Sequence, residues 1–164
     1  MGVCVFCTGT FERSLDGKER ILLPKSLRLF LGGGDCLFLT PGTDGCLEIH
    51  NETSLRALAK AYENSDAGYP CKTIFSRIFL AQSQRCEIDS HQRIRVAGRL
   101  IELVSLVSPV VIIGVGSHWE IWNQPTWNDF LLANQSSFDR HAASVRSVGE
   151  VSVLADTSHT NKPR

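Results

Sequence analysis

The sequence predicts an α+β protein assembled from two tandem copies of one strand–turn–strand–helix unit, and three observations predict it. A block running from Asp16 to Arg20 and Ile21 recurs 73 positions later as Asp89, Arg93 and Ile94. Farther along, Gly42, Glu48, Ile49, Asn51 and Leu55 are echoed 72 positions on by Gly114, Glu120, Ile121, Asn123 and Trp127, so a one-residue deletion reconciles the two blocks. In both halves, short β-rich runs bounded by Gly, Pro, Asn and Asp alternate with helical spacings, which sets a repeat of supersecondary size.

Each element of the first unit has a local cause. Phe11 to Leu15 leads into a turn, and Arg20 to Pro24 follows as a strand that proline ends, because it has no N–H to donate. Lys25 to Leu31 suits a helix with Leu27, Phe30 and Leu31 on its apolar side, stopped by Gly32, Gly33 and Gly34, where positive φ is tolerated. These glycines lack the following Lys-Ser or Lys-Thr of a phosphate-binding loop. Cys36–Thr40 and Cys46–His50 flank the turn cluster at 41–45 and form a strand pair. Asn51 caps a helix that ends near Asn64, with Leu55, Leu58, Ala59 and Tyr62 at helical spacing. After a break at 68–70, Ile74, Phe75, Ile78 and Phe79 make a helical stripe expected to pack in the core.

The second unit repeats the plan from Gln84. A less regular helix is expected around Gly98 to Val104, strands near Val110–Val115 and Trp119–Trp122, and a helix over Pro125–Ala133 with proline in its first turn. Beyond Ser136 polar residues dominate, and 140–164 is expected to be a flexible C-terminal tail.

Apolar residues make up 43% and charged residues 21% of the 164-residue chain, which is a globular composition. The formal net charge is zero, so any case for nucleic acid rests on where the charges lie. Arg13, Lys18, Arg20, Lys25 and Arg28 cluster against only Asp16 and Glu19, and Arg85, Arg93, Arg95 and Arg99 against Glu87 and Asp89. No basic and apolar leader precedes the six cysteines, so reduced cytosolic thiols are the expectation. Cys4 and Cys7 are spaced like half a zinc site, but no second ligand pair follows, and no metal or cofactor is expected. The longest apolar stretch, 101–115, is interrupted by Glu102 and Pro109 and is too short to span a bilayer.

A unit of this size cannot bury its own apolar side, so the two copies must pack together. Intertwining them removes open sheet edges and sets both turns side by side, each delivering an arginine to one basic surface. Arginine's planar fork suits phosphate or a guanine edge. Asp16 and Asp89 are assigned to fixing the turns through backbone N–H groups, not to acid–base catalysis, because no nucleophile or metal-ligand set accompanies them. An enzyme using Cys71 or Cys86 with His91 lacks a recognisable nucleophile context.

Four segments, 14–24, 43–49, 86–94 and 115–122 leading to Trp127, resemble the MraZ family in order and content. The resemblance covers about residues 8–133. It implies tandem duplicated swapped-hairpin β-barrel units of the AbrB type with short peripheral helices, the first repeat over 8–67 and the second over 80–133. It further implies a cytoplasmic, nucleoid-associated regulator of transcription that binds double-stranded DNA at repeated promoter elements of cell-division and cell-wall genes. Members form ring-shaped homo-oligomers, and neither a membrane nor a small-molecule substrate is implied. Carried over by position, Arg20, Arg93 and Lys18 are the expected DNA contacts; Arg13 and Arg95 are weaker candidates that rest on local charge alone. Both turns depart from the family pattern, with Glu19 and Gln92 standing where glycine is typical. If the loops need positive φ there, each side chain carries strain of order 1 kcal/mol, and DNA affinity is altered or lost. A ring-forming interaction scaffold is the alternative.

Overall fold

The computed structural model describes residues 6–64 and 69–157. In chain order the elements are β1 (Thr10–Arg13), β2 (Arg20–Leu22), α1 (Lys25–Phe30), β3 (Cys36–Pro41), β4 (Leu47–His50), α2 (Glu52–Glu63) and α3 (Tyr69–Gln82). The second half continues with β5 (Gln84–Glu87), β6 (Arg93–Arg95), α4 (Gly98–Leu103), β7 (Val110–Gly114), β8 (Trp119–Asn123) and α5 (Gln124–Thr157).

The halves are exchanged. One sheet of six strands has the order β1-β7-β8-β4-β3-β5, and a two-stranded ribbon pairs β2 with β6. Thus β1 leaves its own half to pair with β7, Thr10 opposite Ile113, and β5 pairs with β3 of the first half, Leu37 opposite Cys86. Reading the large sheet from either edge swaps every strand for its repeat counterpart, so the molecule has an approximate two-fold axis between β4 and β8. The described part of both halves, up to Trp127, falls in one compact unit.

This exchange is what the apolar pattern requires. Ile21 and Ile94 lie opposite each other in the ribbon, both fully buried, and pack into one core with Leu27, Leu39, Leu100 and Ile121. Within its own half β2 makes only the isolated bridge of Ile21 with Leu15, so most of the ribbon's pairing, and the burial of its two isoleucines, depends on the other copy. Gly42 and Gly114, equivalent in the repeat, both sit at close approaches. A Cβ at Gly114 would fall on the backbone of Cys7 and Thr8, and one at Gly42 on the Cys46 sulfur.

Local signals act as expected in several places. Asn51 caps α2, its side-chain oxygen accepting the Ser54 N–H at 2.8 Å. Gly32 and Gly33 take positive φ just after α1. Tyr69 and Pro70, expected in a break, instead form the first turn of α3, where proline's missing donor is harmless.

One further expectation needs correction. The stripe on α3 is not core: Ile74 and Ile78 are 57% and 55% exposed, and only Phe79 of the stripe is buried, Phe75's side chain lying outside the described residues. Helical periodicity identifies a shared face but not what covers it. Here that face lines an open cavity of about 880 Å³, with Leu58 and Ala61 of α2 on its other wall. Residues 140–157 of the expected tail are helical, because α5 runs on from Ala133 to Thr157; 158–164 lie outside the described residues. From Asn128 onward this helix counts as a second unit of the structure.

Candidate nucleic-acid interface

The two Asp-x-x-x-Arg turns have nearly the same construction. In the first, Asp16 Oδ1 accepts the backbone N–H of Lys18 at 2.8 Å and of Arg20 at 3.0 Å, while Oδ2 accepts Arg20 Nε at 2.9 Å and lies 2.8 Å from Nη2. In the second, Asp89 Oδ1 accepts His91 and Arg93 N–H at 2.8 and 2.9 Å, and Oδ2 takes Arg93 Nε at 3.0 Å and Nη2 at 2.9 Å. One carboxylate therefore does two jobs at each tip: one oxygen shapes the loop and the other grips the arginine side-on.

The electrostatics agree with this geometry. The Arg20 guanidinium, seconded by the Arg20 and Lys18 amides, outweighs partial desolvation and holds the Asp16 carboxyl down at about 2. At Asp89 desolvation pulls upward, and the Arg93 amide and guanidinium with the His91 amide overcome it, so this carboxyl also lies below its ordinary value.

Exchange of the ribbon brings the tips together. Arg20 stands opposite Arg95 and Leu22 opposite Arg93 across the β2–β6 pair. Arg93 Nη1 is 4.0 Å from Asp16 Oδ2, so the second tip's arginine reaches the first turn's carboxylate. Backbone bonds lock the arrangement: the Leu23 N–H donates to the Gln92 carbonyl and the Val96 N–H to the Glu19 carbonyl, both at 2.9 Å. To aim those carbonyls, Glu19 and Gln92 adopt φ of 60° and 61°. The left-handed geometry foreseen from the missing glycines is therefore present, and side chains sit in it.

The expected contact residues differ in their freedom. Lys18 is exposed at the first tip. Arg20 and Arg93 are partly buried, and Nη1 of Arg20 has no protein partner among the described residues. Arg95 is 74% exposed but pairs with Glu19 at 3.3 Å. Arg13 folds back along the ribbon, donating to the Leu22 carbonyl at 3.0 Å and its neighbour Glu12's carbonyl at 2.7 Å, with its guanidinium over the Phe11 ring. Around the tips five cations, Arg13, Lys18, Arg20, Arg93 and Arg95, meet three carboxylates, Asp16, Glu19 and Asp89. The surface is less basic than the arginine spacing suggested.

The rest of the two basic clusters disperses. Arg28 donates to the Gly34 carbonyl, Arg85 pairs with Glu87, and Arg99 donates to the carbonyls of Ala81 and Ser83. The Glu19–Arg95 pair joins residues 76 positions apart, and sequence spacing carried no signal for it.

The cysteine readings can be placed in part. Cys86 is buried, which pushes its thiol up to about 12, and it lies against the Arg95 carbonyl, whereas His91 sits at the exposed second tip beside Ser90. Cys46 is buried too, and burial with the nearby Glu120 and Glu48 charges pushes it well up. Thiols so shifted are poor nucleophiles at neutral pH. Cys4 and the Cys71 side chain lie outside the described residues. No described helix is long and apolar enough to cross a membrane.

Interlocked hairpins in which each half completes the other's sheet, with paired arginine tips, define a tandem-duplicated swapped-hairpin α+β protein. Within that class, the model of the MraZ protein family, described as antitoxin-like, matches residues 6–68 and 79–148, so the chain belongs to the MraZ family. It is 32% identical to the transcriptional regulator MraZ of Natranaerobius thermophilus over 84% of this chain and 94% of that one. Identity to the transcriptional regulator MraZ of Mycoplasmoides gallisepticum is 30% over 84% and 95% of the two chains, and to that of Ureaplasma parvum 30% over 79% and 89%.

Proposed function

We propose that this chain is a DNA-binding transcription regulator, cytoplasmic and nucleoid-associated, that engages repeated promoter elements of cell-division and cell-wall genes as a ring-shaped homo-oligomer. The observation that carries the reading is the pair of side-on Asp–Arg clamps on adjacent tips. A guanidinium already held in place loses less conformational freedom on meeting a phosphate, and its remaining N–H groups stay available. Arg20, Arg93 and Lys18 are the principal contacts; Arg95 contributes once Glu19 releases it, and Arg13 acts by charge. The relatives' shared name supports the class, and the buried, high-lying thiols of Cys46 and Cys86 support a non-enzymatic role.

A second reading, an interaction scaffold that has lost DNA, is favoured by Glu19, which places a carboxylate at the tip and occupies Arg95. One experiment separates them: gel shifts of genomic fragments at several salt concentrations. Log affinity should fall by about 0.9 per neutralised phosphate for each tenfold rise in salt. The Arg20→Ala, Arg93→Ala double variant, checked for folding by circular dichroism, should weaken binding and flatten that slope by about 2. Equal binding by wild type and double variant overturns the contact assignment, and no retarded fragment at low salt favours the scaffold.

A further inference from the structure

On the approximate two-fold axis, β4 and β8 set Glu48 directly opposite Glu120. Like charges in that cross-strand relation repel, and both side chains are mostly buried, at 17% and 16% exposed, where the repulsion is poorly screened. Each carboxylate nevertheless has one oxygen deliberately held. His50 Nε2 lies 2.9 Å from Glu48 Oε2, and Trp122 Nε1 donates to Glu120 Oε2 at 2.8 Å. The remaining oxygens, Oε1 of each, turn toward the same atom: His118 Nε2 is 3.4 Å from Glu120 Oε1 and 3.9 Å from Glu48 Oε1. That nitrogen is shielded from solvent and makes no hydrogen bond of acceptable geometry.

We propose that Glu48, His118 and Glu120 bind a divalent transition-metal cation, with zinc, cobalt or manganese as the fitting class. Their donor atoms all lie within 4.8 Å of one another. A tetrahedral zinc with bonds of roughly 2.1 Å spaces its ligands about 3.4 Å apart, so the observed separations need only small closure. The outer partners are those a metal site requires, since His50 and Trp122 orient the two carboxylates. The His118 ring is fixed by Ser117 Oγ at 3.1 Å from Nδ1 and by stacking on His50, with centroids 5.2 Å apart. A nitrogen–oxygen donor set without thiolate favours these ions over cuprous copper. Glu48, Ser117 and His118 also line the 880 Å³ cavity bounded by α2 and α3, so open space reaches the edge of the cluster. This departs from the expectation of no metal, and it does not depend on DNA binding.

The test uses the full-length protein, stripped with chelator and exchanged into chelator-free buffer. Zinc and manganese chlorides are titrated by calorimetry, and cobalt chloride by visible absorption. The expected result is one ion per chain with a cobalt spectrum of nitrogen–oxygen ligation. Glu120→Gln and His118→Ala should each weaken binding by more than about 10-fold, and Trp122→Phe, which keeps the packing and removes the N–H, by about 10-fold. Should His118→Ala fail to fold, Glu48→Gln takes its place. Absence of binding at millimolar metal overturns the proposal. So does binding that persists undiminished in the glutamine variants, or a strong thiolate-to-cobalt band that those variants retain, because the ion then sits on cysteines.

Discussion

Glu19→Gly separates backbone strain from charge at the first tip. A side chain at φ 60° costs about 1 kcal/mol relative to glycine, against which glycine's greater freedom in the unfolded chain offsets roughly 0.5 kcal/mol. The lost pair with Arg95 is solvent-exposed on its arginine side, and pairs of that kind contribute only a few tenths of a kcal/mol. Folding stability should therefore change by less than about 0.5 kcal/mol, within which the sign depends on the ion pair. DNA binding should respond far more. Removing one carboxylate beside the proposed phosphate path should relieve a repulsion of up to about 1 kcal/mol, or about fivefold in affinity. Release of Arg95 to one further phosphate steepens the salt slope by about 0.9. The assay is fluorescence anisotropy on a bound fragment across several salt concentrations, with Gln92→Gly as the control that relieves the matching φ of 61° without changing charge. If Glu19→Gly leaves both affinity and slope where they were, or if Gln92→Gly steepens the slope equally, the electrostatic account of the tip is wrong.

Other outcomes follow from the same geometry. Asp16 titrates at about 2, below its ordinary 3.8, so its contribution to the fold is complete above 3.8 and is lost as pH falls through about 2. Carbon-13 NMR of its carboxyl should show this, and Arg20→Ala should return the midpoint toward 3.8; an unmoved midpoint would disprove the side-on grip. Asn123, 8% exposed, accepts from the Val107 N–H at 2.7 Å and donates to the carbonyls of Val104 and Ser105. Asn123→Ala should cost about 2–4 kcal/mol in urea unfolding, more than the roughly 1–2 kcal/mol for its repeat counterpart Asn51→Ala, which loses a helix cap and one bond to the Phe30 carbonyl. A smaller loss at Asn123 than at Asn51 would contradict that ranking.

Elements and tips could be read from the residues because their causes are local. The proline after β2, the glycines after α1 and the asparagine before α2 each act within one turn of chain, and the recurrence of Asp16 and Arg20 as Asp89 and Arg93 marked the tips. That the copies intertwine followed from the inability of one unit to bury itself. The particular exchange, β1 with β7 and β5 with β3, did not follow, because alternation says which face is buried and nothing about the partner strand. Ile74 and Ile78 show the same gap: a helical stripe declares its own geometry, while its exposure is decided by elements elsewhere. The Glu48–Glu120 pair was half visible. Their equivalence follows from the repeat, but equivalence becomes proximity only where a symmetry axis passes between them, and His118 enters from outside the repeated positions.

Covalent fusion of two interdependent halves has a consequence for asymmetry. An unfused homodimer of one half must present the same tip twice, and can match only a target that is itself palindromic. Here one tip carries Lys18 and Glu19 and the other His91 and Gln92, on turns held by the same aspartate hydrogen bonds. The fused chain therefore has a direction, and any surface it recognises can be met in one orientation better than in the reverse.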